Sequence, residues 1–77
     1  MIQDILDIIR SHDGWMDPDE VVSQLRLRDP VRYRNVTREY VNQRVRKLQF
    51  QNYPIQSAQF WNDAEGKWLM RVRMVGE

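Results

Sequence analysis

Apolar residues recur at helical spacing along the first ten positions of the chain. Ile2, Ile5, Leu6 and Ile9 fall at i, i+3, i+4 and i+7, which predicts a helix over about 1–12 with Ile8 off the centre of its buried stripe. Asp13-Gly14 reads as a turn, its glycine suited to the left-handed C′ position. Trp15-Met16 is too short for more than a bridge or a one-rung strand. A second helix, about 18–28, opens with Asp17 as N-cap, Pro18 at the first helical position and Glu20 completing a D-x-x-E capping box. Val21, Val22 and Leu25 form its buried stripe, and Asp29-Pro30 ends it. Residues 29–36 form a connector in which Asp29 and Pro30 can start one short helical turn. Thr37 caps a third helix, about 37–50, with Val41, Val45 and Leu48 as its buried side.

After Asn52-Tyr53-Pro54 the period changes from 3.6 to 2. Trp68, Met70, Val72 and Met74 alternate with Leu69, Arg71 and Arg73, and Ala58 shares a face with Phe60 in the run before them. A hairpin over about 55–75 is expected, with the polar stretch 62–67 as its loop. The pattern predicts an α+β domain: a three-helix bundle followed by a C-terminal β-hairpin, spanning 1–77 as one unit without repeat or linker. Trp15 and Trp68 are expected to seal the short strand against the hairpin. Trp61 falls outside the alternation and is expected to be exposed.

Charge adds polarity to this outline. The formal net charge is only +1, yet residues 1–20 carry one arginine against six acids and residues 21–50 carry eight basic side chains against two acids. A chain with an acidic beginning and a basic middle suits a module that offers one face to a polyanion. Other chemistries fall away. With no cysteine and His12 as the single histidine, thiolate zinc sites, disulfide scaffolds and His-based metal clusters are excluded. No apolar run approaches the roughly 20 residues of a membrane span, and the acidic, periodic start is unlike a signal peptide. So short a chain buries only about 60% of its unfolded surface, so its large apolar residues are needed for the core rather than a substrate cavity. The acids lie on expected helix faces or turns. The expectation is a soluble cytoplasmic binding module with no cofactor and no catalytic role.

The order helix, short strand, helix, helix, strand, strand, together with the stretch NVTREYVNQRVRKLQFQNYPI, resembles the winged helix-turn-helix superfamily. The resemblance rests on Thr37 opening the third helix, on Val41, Val45 and Leu48 after it, on the polar turn at Asn52, and on the hairpin as the wing. In two respects the chain departs from the family pattern. Its connector is longer than the usual tight turn, and Asn52-Tyr53-Pro54 stands where a glycine is common. The resemblance implies binding of double-stranded DNA by a stand-alone transcriptional regulator of the kind common in phages, plasmids and bacteria, acting as a homodimer on a two-part operator and associated with the nucleoid.

In such a domain the third helix enters the major groove. Arg38, Asn42, Gln43 and Arg46 carry the side-chain chemistry that pairs with guanine and adenine edges. Glu39 and Lys47 lie on the same broad side, where Glu39 can accept from cytosine but is repelled by phosphates. Arg32 and Arg34 in the connector, near Arg26 and Arg28 with Tyr33 interleaved, suit phosphates; they suit equally the neutralisation of the acidic first helix. Lys67, Arg71 and Arg73 are the hairpin's candidates for backbone contact. A rival reading is a protein-interaction module without DNA binding, anchored by Trp61, Tyr40 or Phe50 at the junction of third helix and wing.

Overall fold

The computed structural model describes residues 2–75, and of Ile2 it describes the backbone alone, so Met1 and the Ile2 side chain of the expected stripe lie outside the description. Three helices, α1 (Ile2–Ser11), α2 (Pro18–Arg28) and α3 (Arg38–Phe50), precede an antiparallel hairpin of β1 (Ile55–Asn62) and β2 (Lys67–Met74). The architecture is α+β, as the periodicities require.

Local chemistry sets the element ends. Asp17 is extended and its carboxylate accepts from the Asp19 amide at 2.8 Å, with Pro18 at the first helical position. The Glu20 amide goes instead to the Asp17 carbonyl, so the cap acts one residue earlier than a capping box would place it. Thr37 caps α3 through the Tyr40 amide. At the other end of α3, Asn52 takes φ 70°, its amide donates to the Gln49 carbonyl and the Tyr53 amide to Leu48. These two bonds form a Schellman motif with asparagine in the left-handed position usually held by glycine. Gly14 has φ 88°, one residue beyond the C′ position, where it turns the chain from α1 into Trp15.

Residues of one register pair share a face of the hairpin. Ile55, Ser57, Gln59 and Trp61 lie with Met74, Val72, Met70 and Trp68 on the inner face, while Ala58, Phe60, Leu69, Arg71 and Arg73 lie on the outer face. Met16 bonds to Val72 as an isolated rung, adding the expected one-rung strand on the free side of β2. The loop is 63–66, shorter than expected, because Asn62 and Lys67 still pair.

The core joins Val21, Val22 and Leu25 of α2 to Val41, Val45 and Leu48 of α3, beneath Ile55 and Val72 of the hairpin. All four apolar residues of α1 with described side chains are buried, including Ile8. The helix packs against α2, α3 and β2 at once, which widens its buried stripe. Trp68 departs from expectation. It is 62% exposed, because it lies at the hairpin tip beyond the helices, where it meets Trp61 edge-on at 5.6 Å.

The connector is more than a basic loop. Asp29 accepts the Arg32 amide through its side chain and the Tyr33 amide through its carbonyl, closing the short turn. Tyr33, only 4% exposed, and Val36 enter the core. The Tyr33 hydroxyl donates to Asp4 on α1. Burial, then the Asp4 contact, pushes the Tyr33 phenol up to about 12, and the same hydrogen bond is the largest cause holding the Asp4 carboxyl below its usual range. The raised phenol contributes stability that is complete below pH ~10 and lost as pH rises toward 12. The lowered carboxyl contributes stability present above pH ~4 and lost as pH falls through its folded value. Tyr33→Phe is therefore expected to cost about 1–2 kcal/mol at neutral pH. Urea unfolding as a function of pH should show the difference from wild type shrinking at both extremes; a constant difference would contradict this coupling.

Candidate nucleic-acid interface

Burial of Val41, Val45 and Leu48 leaves Glu39, Gln43, Arg46 and Lys47 on the exposed side of α3, as the helical projection requires. Phe50 extends that row at the end of the helix and is 90% exposed.

Arg38 is placed differently from expectation. Its Nη1 lies 2.7 Å from Asp19 and 3.4 Å from Asp17, and the side chain is only 24% exposed. The packing of α2 on α3 brings the start of one helix beside the start of the other, so the first arginine of α3 meets the capping aspartates of α2. Its Nη2 and the Asn42 Oδ1 are shielded from solvent without a hydrogen bond. Both residues therefore belong to the flank packed toward α2, not to the open face. Sequence spacing along α3 carries no sign of this, since the partners lie on another helix.

The basic connector divides in the same way. Arg26 donates to the Val36 carbonyl at 2.9 Å, and Arg28 sits 3.7 Å from Asp4 and 3.8 Å from Asp7. Arg32 and Arg34 remain exposed with no carboxylate in ion-pair range among the described residues. They border a shallow cleft of about 340 Å³ that Asn35 and Tyr40 also line. The Arg44 guanidinium lies 5.1 Å from the centre of the Tyr40 ring, which brings one more cation to this region. Sequence reasoning did not select Arg44, although its i, i+4 spacing from an aromatic residue was the available signal.

On the hairpin, Lys67 is exposed beside the loop. Arg71 and Arg73 lie on the outer face, away from the helices. Arg71 stacks 5.0 Å from the Phe60 ring and Arg73 4.6 Å from Trp15, while Arg73 Nε also donates to Gln56. Trp15 and Phe60 meet edge-on at 5.2 Å, so Trp15 packs the short strand against the hairpin on its outer face. The two strand arginines are thus held on the outer face of the hairpin by rings and by Gln56. Trp61, Tyr40 and Phe50 do not form one surface. Tyr40 packs against the core, and Trp61 lies near the far end of β1, about 20 Å along the strand from Ile55.

Among the described residues no three metal-ligating side chains cluster, and no helix is long and apolar enough to cross a membrane. His12 is spent locally, its Nε2 lying 3.1 Å from the Trp15 carbonyl.

If Arg38 is an inter-helix tie, Arg38→Ala should lower stability by about 1 kcal/mol, and the loss should shrink at high salt. Gln43→Ala, on the open face, should change stability by less than about 0.5 kcal/mol. Urea titrations at two ionic strengths decide this, and equal losses for both variants would refute the assignment.

No family model, no curated protein and no solved structure matches the chain.

Proposed function

We propose that the protein binds double-stranded DNA as a winged-helix-like regulator, laying α3 in the major groove and holding phosphates with the connector. The observation that carries this reading is how the carboxylates are distributed. Those of α1 and α2 take Arg28 and Arg38, and Arg26 is bound to a backbone carbonyl. Arg32, Arg34, Arg44, Arg46 and Lys47 are left with no carboxylate in range among the described residues, all on the connector and α3. Arg10, Lys67, Arg71 and Arg73 also have no carboxylate in range among the described residues, but they are spread over α1 and the hairpin. The connector and α3 therefore hold the densest group of uncompensated cations, which favours attraction to a phosphate backbone there.

Within that region Gln43 is the base reader. It stands in the middle of the exposed row, and an amide pairs with adenine through two hydrogen bonds. Arg46 and Lys47 come later on the helix, where the groove wall rises, and suit phosphates. Arg32, Arg34 and Arg44 extend the phosphate grip from the connector side. Glu39 restricts the neighbouring base to a donor such as cytosine N4. Lys67 brings the hairpin tip to the backbone; Arg71 and Arg73 share its face but are engaged by Phe60, Trp15 and Gln56 and contribute little.

The test is fluorescence anisotropy with duplexes selected from a random pool, at several salt concentrations. Gln43→Ala should lose about 1–3 kcal/mol on the selected site and spare non-specific affinity. Arg34→Ala should weaken all sequences alike and flatten the salt dependence by about one unit of slope. Arg71→Ala should leave both unchanged. Absence of duplex binding at low salt, or three variants that behave identically, would overturn the reading.

A further inference from the structure

The sheet has one open margin. β2 is flanked by β1 on one side and by the Met16 rung on the other, so β1 forms the outer edge. The ladder determines which of its backbone groups point outward. The Val75 amide donates to the Pro54 carbonyl, which makes the position 54/75 a hydrogen-bonded pair, and such pairs alternate along an antiparallel ladder. Even-numbered residues of β1 therefore turn their amides and carbonyls toward β2, and odd-numbered ones turn theirs away. At Ile55 the outward groups are occupied: the amide donates to the Tyr53 carbonyl and the carbonyl accepts from Gln49 Nε2. At Ser57, Gln59 and Trp61 no other backbone group of the described residues meets them.

Exposed edges are ordinarily protected by charge, proline or a bulge. The eight residues of β1, IQSAQFWN, carry neither charge nor proline, and their pairing with β2 is continuous. We propose that two copies of the chain join through this edge, β1 against β1, antiparallel about a twofold axis at Gln59. That register sets Gln59 opposite its own copy and Ser57 opposite Trp61 of the second copy. All three open residues are then paired on both strands, and the occupied Ile55 stays outside the contact.

Side chains fit the same register. Opposed residues of an antiparallel pair share a face, so Trp61 lies beside Ser57 of the second copy on the inner face, and Phe60 beside Ala58 on the outer face. Each large ring meets a small neighbour. With no charge on the strand, no like charges oppose one another. Trp61, 52% exposed in the single chain, loses part of that exposure to the second copy. A perpendicular twofold keeps both helical layers on one side of a continuous sheet, so the two α3 helices become parts of one rigid unit. One strand per chain is a small contact beside the ~800 Å² per partner of a standard interface, so the association is reversible and weak. The inference stands independently of the DNA reading.

The test is sedimentation equilibrium of the DNA-free chain into the high micromolar range. Wild type should show a monomer–dimer equilibrium. Because position 59 faces itself across the axis, Gln59→Lys and Gln59→Glu should each weaken association about tenfold or more, and their equimolar mixture should restore it as a heterodimer. Both variants should keep the wild-type melting temperature when dilute, since this side chain is exposed and its backbone groups face away from β2. As a second probe, Gln59→Cys should crosslink into a dimer on oxidation, because directly opposed residues stand about 5.5 Å apart at Cα. The chain has no other cysteine, so the product is unambiguous. Gln56→Cys should not crosslink. A chain monomeric at every concentration, a dimer indifferent to both charged variants, or a mixture that stays apart would overturn the proposal. Loss of duplex binding in a chain that still dimerises would overturn only the DNA reading.

Discussion

Two backbone hydrogen bonds between Met16 and Val72, at 2.7 and 2.9 Å, tie the link between the first two helices to the last strand. Both residues are buried, so the rung lies inside the core it helps to close. A two-stranded hairpin is marginal in water by itself, and three short helices expose too much of their apolar stripes. Joining them on one rung lets each cover the other. The rung also sets phase: Met16 shares the inner face with Val72, which turns Trp15 outward onto Phe60 and Arg73. The outward direction of Arg71 and the exposure of β1 as the sheet's margin follow from the same arrangement.

Electrostatics is organised around the acidic start of the chain. Asp4 receives the Tyr33 hydroxyl and lies near Arg28, while Asp17 and Asp19 hold Arg38. These contacts fasten the connector and α3 to the first two helices. The acids that look hostile to a polyanion are in this way partly internal counter-charges. By neutralising Arg28 and Arg38 they leave Arg32, Arg34, Arg44, Arg46 and Lys47 as the cations of the connector and α3 with no carboxylate in range among the described residues. The outcome is a polarity much larger than a net charge of +1 suggests.

Much of the fold is legible locally. Asp17 with Pro18, and Thr37 with the Tyr40 amide, begin their helices through bonds spanning two or three residues, so the residue types suffice to find them. The period of Val41, Val45 and Leu48 identifies the exposed side of α3 for the same reason. Asn52 was an apparent departure from a glycine pattern, yet asparagine tolerates the left-handed conformation that the helix end demands. Period-2 alternation likewise places Trp68 on the inner face correctly. What alternation cannot tell is how far along the strand the helices reach, and Trp68 lies past that limit.

The sequence by itself determined the elements, the face each one buries, and the segregation of acidic from basic segments, because these depend on residues a few positions apart. Only the tertiary structure decided which basic side chains stay available. Arg38 and Gln43 are both polar residues of one helix, but the packing of α2 sets two aspartates against the first and leaves the second open. Arg71 and Lys67 share the outer face of one strand, yet Phe60 and Trp15 pack over that face and hold Arg71 against a ring, while Lys67 stays exposed at the tip. Ion pairs and ring contacts between elements depend on the angle and register at which distant elements meet, and no periodicity within one element encodes that.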